Sequence, residues 1–271
     1  MSDRVVSVVI VGARGRMGEA LLAALTDADD LELVGAVDHA ANSGLGQDIG
    51  LLSGLPEIGV DLTDTLRPPR GSVVIDFSLP EATDLNIARC LDFGVPLVLG
   101  TTGITGETRE LLKRAGKEIP IVSAANFSVG ITLLLQLASV AARALGPDFE
   151  AEIFELHHRH KRDAPSGTAL RLGKAIAQAT DRDFEKVAVR SRNTTETQRL
   201  PEEIGITALR GGDSVGEHTL MFLGHGERLE LSHRATDRGI FARGALRAAR
   251  WLHGQPPGLY DMSDVLGLSR R

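Results

Sequence analysis

The sequence predicts an α/β protein in two parts: a parallel-sheet nucleotide-binding region, and an α+β region built on an open mixed sheet. Three observations carry this. Val5 to Val11 is a β-branched run of the kind a strand buried on both faces requires, and glycines 12, 15 and 18 follow it. Strand, turn and helix alternate to about Phe127, after which strands succeed one another through short turns. Between a predicted strand end and a helix start, His157, His158, Arg159, His160, Lys161 and Arg162 stand in six consecutive positions.

Taken in order, the first strand ends in Gly12-Ala13-Arg14-Gly15-Arg16-Met17-Gly18, and a helix is expected from Glu19 to about Thr26. A second strand, Leu31 to Val37, ends at Asp38. Glycines after the first strand let backbone approach a pyrophosphate at the helix start, and an acid after the second accepts hydrogen bonds from an adenosine ribose. The spacing is G-x-x-G-x-x-G, one residue longer in its first gap than the common fingerprint. Residues 40–66 read as loop with short helical pieces. Further strands are expected at Ser72 to Phe77, Val95 to Leu99 and Ile119 to Ala124, with helices from about Pro80 to Phe93 and from Thr105 to about Gly116. Asp38, Phe77, Gly100-Thr101-Thr102 and Ala125-Asn126-Phe127 then fall at the carboxyl edge of the sheet, where ligands of open α/β sheets bind. In the second region an apolar helix is expected over Ile131 to Leu145, a strand over Ala151 to His157 and a helix over Ala169 to Thr180. Strands follow at Val187 to Arg190, Ile204 to Arg210, Glu217 to Leu223 and Glu227 to His233. A last amphipathic helix, Ile240 to His253, returns to cover the first region.

Composition narrows the class. A net charge of −6 over 271 residues argues against a general nucleic-acid binder. The single cysteine, Cys90, excludes an internal disulfide and fits a reducing compartment. No apolar run is read as reaching the ~18 residues that span a membrane, and no signal-peptide layout opens the chain, so a cytoplasmic location is expected.

The basic segment is where chemistry is expected. Pro165-Ser166-Gly167-Thr168 opens a helix, whose N-terminus offers backbone N–H groups and the positive end of the dipole. With Lys161 and the imidazoles this makes a site for a carboxylate or phosphate, with groups able to move protons near neutrality. A solvated basic loop and a zinc site are the competing readings. The second is disfavoured by the remoteness of Cys90 and the lack of a metal-binding helix spacing, and no metal is expected.

These motifs resemble those of the dihydrodipicolinate reductase family of bacterial lysine and diaminopimelate biosynthesis. The resemblance is carried by the glycine turn, Gly100-Thr101-Thr102-Gly103, Ala124 through Gly130, Glu155 through Lys161 with Asp163 through Thr168, Arg210 through Asp213 with Gly216-Glu217-His218, and Leu259 through Met262. It implies a Rossmann-like cofactor domain, residues 1–127 and 238–271, and a substrate-binding and tetramerisation domain, residues 128–237. It implies reduction of 4-hydroxy-tetrahydrodipicolinate, a small cyclic dicarboxylate, by NADH and/or NADPH in a homotetramer, with no nucleic-acid or membrane partner. His157 and Lys161 match the family's proton-transfer positions, and His158, Gly167 and Thr168 its substrate contacts. Gly12, Ala13, Arg14, Gly15, Arg16, Met17, Asp38, Gly100, Thr101, Thr102, Ala124, Ala125, Asn126 and Phe127 match cofactor contacts. His39 departs from the pattern: many members carry a basic residue there, and a largely neutral imidazole holds a 2′-phosphate less firmly than arginine. Arg14 or Arg16 is expected to compensate. The rival readings are another nicotinamide-dependent dehydrogenase acting on a small carboxylate and a non-catalytic nucleotide sensor.

Overall fold

The computed structural model describes residues 5–192 and 198–268. The predicted domain ends at residues 1–4 and 269–271 lie outside the described residues. In chain order the elements are β1 (Val6–Val11), α1 (Arg16–Leu25), β2 (Leu31–Val37), α2 (Ile49–Leu52), β3 (Leu62–Thr63), β4 (Val73–Asp76), α3 (Pro80–Phe93), β5 (Leu97–Leu99), α4 (Gly106–Ala115) and β6 (Pro120–Ser123). Then come α5 (Val129–Leu145), β7 (Glu150–His157), α6 (Gly167–Ala179), α7 (Phe184–Val187), β8 (Ala188–Val189), β9 (Ile204–Arg210), β10 (Gly216–Leu223), β11 (Arg228–Ala235), α8 (Gly239–Leu252), β12 (Gly258–Tyr260) and α9 (Met262–Val265).

The chain divides into two compact units, residues 1–129 with 239–271, and residues 130–238. The divisions were expected after 127 and before 238. The displacement is one or two residues, because α5 and α8 both begin at these crossings.

The first unit is a seven-stranded sheet in the order β12-β6-β5-β4-β1-β2-β3, parallel throughout. The order reverses between β1 and β4, as in a Rossmann-like fold, and the crevice outside that reversal is where such sheets bind ligands. Val8, Val9, Ile10, Val73, Val74 and Ile75 are at most 1% exposed, so strands covered on both faces have the continuous apolar runs that burial demands. Helix α8 packs Ala242, Ala245, Leu246, Ala249 and Leu252 into this core, joined to the region before β2 by an ion pair between Arg250 and Asp30.

The second unit is a mixed sheet in the order β11-β10-β7-β9-β8. The β10 pairings are antiparallel, and β9 runs parallel to β7 and β8. Its core lies between one sheet face (Ala151, Ile153, Ile204, Ile206, Leu220, Phe222) and helices α5 and α6 (Ile131, Leu134, Ala138, Leu172, Ile176).

Several expectations are corrected. Helix α1 begins at Arg16 rather than Glu19, because Gly15 is its extended N-cap. Two strands were missed: β3, only two residues long, and β12, whose Gly258–Tyr260 adds an edge strand beside β6. Neither is long enough to show a period. The strand expected over Val187 to Arg190 is shorter, Ala188–Val189, because Val187 still closes the helical turn α7 before it. The reading that no apolar run is long enough to span a membrane is also corrected. Val129–Asp148 passes by length and composition, its threonine, glutamine and alanines diluting a run that the average still counts. Here one face of that helix covers the second sheet, while Leu133, Leu137 and Val140 are 41–51% exposed.

Candidate active site

In the first unit the glycine turn is built for close approach. Gly12 has φ +78°, and a side chain there would stand 3.0 Å from the Phe77 carbonyl. A Cβ on Gly18 would overlap the Gly12 carbonyl, so helix and turn pack only with glycine at that position. Gly12 and Ala13 donate to the Val37 carbonyl at 2.9 and 3.0 Å. No side chain caps α1, which leaves its N-terminus for an anion. Asp38 accepts from the Arg14 N–H at 2.8 Å and from the His39 N–H at 2.9 Å, so its carboxylate is positioned by backbone. The Arg14 side chain reaches Ser53 Oγ at 3.2 Å and Glu19 at 3.3 Å, whereas Arg16 and His39 are exposed.

The other predicted cofactor residues divide by what their side chains do. Ala13 is buried, and Met17 and Ala124 pack on the core, so these three offer a ligand chiefly their backbone. Gly15, Thr102 and Ala125 are exposed. A Cβ at Gly100 would overlap the Phe77 ring, and Phe77 meets Phe127 edge-on at 5.4 Å. Thr101 donates to the Ser78 carbonyl at 3.1 Å, and Asn126 Oδ1 accepts from the Ser128 N–H at 2.8 Å. Asp76, fully buried, accepts from the Ser78 N–H and Asn86 Nδ2 at 2.8 and 2.9 Å. Burial pushes its carboxyl up despite those bonds.

In the second unit, alternation along β7 puts Glu155 and His157 on the buried face with Ala151 and Ile153. Register brings the rest: His218 of β10 lies opposite Glu155, and Arg210 of β9 beside His157. Glu155, 0% exposed, accepts from Arg210 Nη2 at 2.8 Å and from the Ser166 N–H at 3.0 Å, and its Oε2 is against His157 Nδ1. Burial alone would raise this carboxyl. The close contact with His157 and the hydrogen bonds from Arg210 and Ser166 outweigh it and hold the group at about 2. His218 is pushed the other way, to about 4, by burial and then by the neighbouring His157. It is a neutral imidazole at pH 7, with Nε2 3.1 Å from Ser166 Oγ. Ser166 Oγ also caps α6 by accepting from Ala169 N–H at 3.2 Å. Gly167 and Thr168 form the first turn of α6, where backbone N–H groups point along the helix axis toward a ligand.

Between β7 and α6 the chain turns rather than continuing as a helix. Lys161 N–H donates to the His158 carbonyl, His158 N–H to Ser214 and Arg159 N–H to Gly212. Lys161 Nζ is 2.8 Å from Asp163 Oδ1, and its charge is felt at both His158 and His218. His158 is lowered by burial first, then by Arg238 and the neighbouring cations. The structure thus gathers Lys161, His157, His158, Gly167 and Thr168 around one turn.

Sequence reasoning missed Glu155, Arg210, Ser166 and His218 as a group. The signal was present: a carboxylate two residues before His157 on a strand must share its face. Glu155, His157 and His218 also bring one ligand atom each within 4.8 Å of one another, a spacing that can hold a metal ion and that a search for helix motifs does not find. Arg210 and Ser166 occupy Oε1 of Glu155, so a cation there would meet Oε2, displace its contact with His157 Nδ1 and stand beside the Arg210 charge.

Residues 6–127 match the family described as dihydrodipicolinate reductase, N-terminus, and residues 130–266 its C-terminus. The chain is 50% identical over 264 residues to a 4-hydroxy-tetrahydrodipicolinate reductase of Pseudomonas fluorescens, covering 96% of this chain and 98% of that one. It is 46% identical over 267 residues to the protein of that name from Syntrophotalea carbinolica, covering 97% and 99%. Among solved structures it is similar to a dipicolinate-bound dihydrodipicolinate reductase from a Paenisporosarcina species, with TM-score 0.73, 25% identity and coverage of 94% and 97%.

Proposed function

From the premise that this chain belongs to the dihydrodipicolinate reductase family, we propose that it reduces 4-hydroxy-tetrahydrodipicolinate to tetrahydrodipicolinate with NADH or NADPH. The observation that carries this is the pairing, in one chain, of an uncapped glycine turn with a cationic, proton-bearing helix start.

The first unit fits a dinucleotide. The turn from Gly12 to Met17 and the N-terminus of α1 would hold the pyrophosphate, and Asp38 the adenosine ribose. Gly100 to Thr102 and Ala124 to Phe127 would line the remainder. When bound, the nicotinamide supplies a hydride. The residues of the second unit do the rest. Backbone N–H groups of Gly167 and Thr168, with His158, receive the carboxylates. Lys161 delivers a proton, with His157 positioning or relaying it. The 4-hydroxyl would leave with a hydrogen of the adjacent ring carbon as water, and the conjugated imine so formed would take up one hydride and, from Lys161, one proton on the ring, so atoms and charge balance.

Asp38 favours a free ribose diol, while exposed Arg16 and His39 leave room for a 2′-phosphate. Both cofactors are expected to serve, within roughly a hundredfold or about 3 kcal/mol of each other. The test is substrate-dependent loss of NADH and NADPH absorbance. Turnover with enzymatically made 4-hydroxy-tetrahydrodipicolinate supports the reading; turnover only with another carboxylate identifies a different dehydrogenase, and none at all a sensor.

A cytoplasmic homotetramer is the assembly we propose. The second sheet's open face carries Phe154, Leu156, Leu209, Met221 and Leu223, opposite the face packed on α5 and α6. Leu209 is 45% exposed, and apolar surface of this kind asks for a cover. Light scattering at micromolar concentration should return four subunits; a monomer mass refutes this.

A further inference from the structure

We infer that Glu155 is the positioning residue for His157: its carboxylate holds the imidazole as the Nδ1–H tautomer and leaves Nε2 as the one nitrogen that exchanges protons. The inference rests on the reading of His157 as a proton-transfer group, and nothing in the sequence motifs assigned Glu155 a role.

The argument starts from donors and acceptors. An ionised carboxylate only accepts, and the Arg210 guanidinium, donating to Glu155 at 2.8 Å, is the partner of an ionised carboxylate. Its Oε2 lies against His157 Nδ1. The contact is favourable only if Nδ1 carries the proton, since otherwise two lone pairs face each other inside the protein. The other oxygen is taken: Oε1 receives Arg210 Nη2 at 2.8 Å and the Ser166 N–H at 3.0 Å. Glu155 therefore cannot swing away without leaving Arg210 and Ser166 short of an acceptor.

The surroundings of Nε2 agree. Gly216, on the neighbouring strand, stands beside it, and a Cβ there would come within 2.8 Å of Nε2. The missing side chain keeps that nitrogen's approach open. The His218 ring meets His157 edge-on at 5.2 Å and is neutral, so it does not repel charge gained on Nε2.

The same network reaches the other proton-transfer residue. Arg210 Nη2 also donates to the Asp163 carbonyl, and Asp163 Oδ1 holds Lys161 Nζ. Ser166, whose N–H Glu155 accepts, caps the helix offered to the substrate carboxylates. These bonds fix the carboxylate itself in place, with Oε2 held against His157.

The experiment has a spectroscopic arm and a kinetic arm. In protein labelled with 15N-histidine, long-range proton–nitrogen spectra report which ring nitrogen of His157 is protonated, its signals assigned by their loss in His157→Gln. Wild type is expected to show Nδ1–H; an Nε2–H ring overturns the inference, and this measurement needs no Glu155 variant to fold. In steady-state assays Glu155→Gln keeps the shape and one acceptor oxygen but replaces the other by an NH2 donor and removes the charge, so kcat is expected to fall about 10–100-fold, the usual effect of removing an orienting partner. KM for the dicarboxylate should change little. Placed in a His157→Gln background, Glu155→Gln should add nothing further. An equal penalty in that background means Glu155 acts structurally and overturns the inference. If wild type fails to reduce 4-hydroxy-tetrahydrodipicolinate, the proposed activity is wrong, and the tautomer still decides the role of Glu155.

Discussion

Asp76 and Glu155 are both 0% exposed carboxylates at or near the carboxyl end of a parallel-paired strand, one in each unit, and their environments act in opposite directions. Asp76 accepts only from neutral donors, the Ser78 side chain and N–H and the Asn86 amide, and burial still raises its carboxyl. Glu155 accepts from the Arg210 guanidinium and the Ser166 N–H, lies against an imidazole, and is held at about 2. The difference shows that burial does not decide charge; the partners do. In the first unit the carboxylate is scaffolding that ties the β4 turn to α3. In the second it is a fixed charge beside groups that move protons, which is where perturbed ionisation and function coincide.

The largest expected effect that tests this contrast is on catalysis. Lys161→Ala removes a positioned acid and a charge that attracts the dicarboxylate. Steady-state kinetics should show kcat lower by about 10²–10⁴-fold, with a smaller loss for His157→Gln. If Lys161→Ala keeps more than about a tenth of wild-type kcat, another group supplies the proton.

Next comes stability at pH 7. Glu155→Gln strands Arg210 beside an amide and should cost on the order of 3 kcal/mol in urea unfolding. Asp76→Asn removes a charge the site disfavours while keeping an acceptor for Ser78, and should stay within about 1 kcal/mol of wild type. Equal costs would erase the contrast.

Acid sharpens it. His218 titrates near 6.5 when unfolded and near 4 when folded, so the unfolded chain binds more protons between these values. Its contribution to stability is present above pH 6.5 and is lost as pH falls toward 4, amounting to about 2 kcal/mol between pH 7 and 5. Asp76 has the opposite sign: its folded group is raised, so its contribution is greatest at low pH and declines as pH rises. Hydrogen exchange should therefore show the second unit loosening first on acidification. Wild type should lose about 2 kcal/mol more between pH 7 and 5 than His218→Gln.

How much was legible in the sequence follows from the same two regions. Strands β1 and β2 and the Gly12–Gly18 turn could be read because a twice-covered strand and a left-handed glycine leave local marks. The basic segment could be read because its cations are consecutive. Glu155, Arg210 and His218 could not be joined, because they meet only through the β7–β9 and β7–β10 registers, across separations of 55 and 63 residues. The 63-residue one links Glu155 and His218 through an antiparallel pairing that no local pattern announces. Strands β3 and β12 were lost for another reason: two or three residues carry no period, and pairing with a long neighbour alone makes them strands.

The division of labour between the units is tested most directly by titrating Lys161→Ala and wild type with NADH, following nucleotide fluorescence in the absence of the dicarboxylate. Because the nucleotide contacts assigned here all belong to the first unit, the two proteins should bind NADH with affinities within about threefold, or roughly 0.7 kcal/mol, although their turnover differs by orders of magnitude. A loss of NADH affinity of about a hundredfold or more in Lys161→Ala would contradict the account.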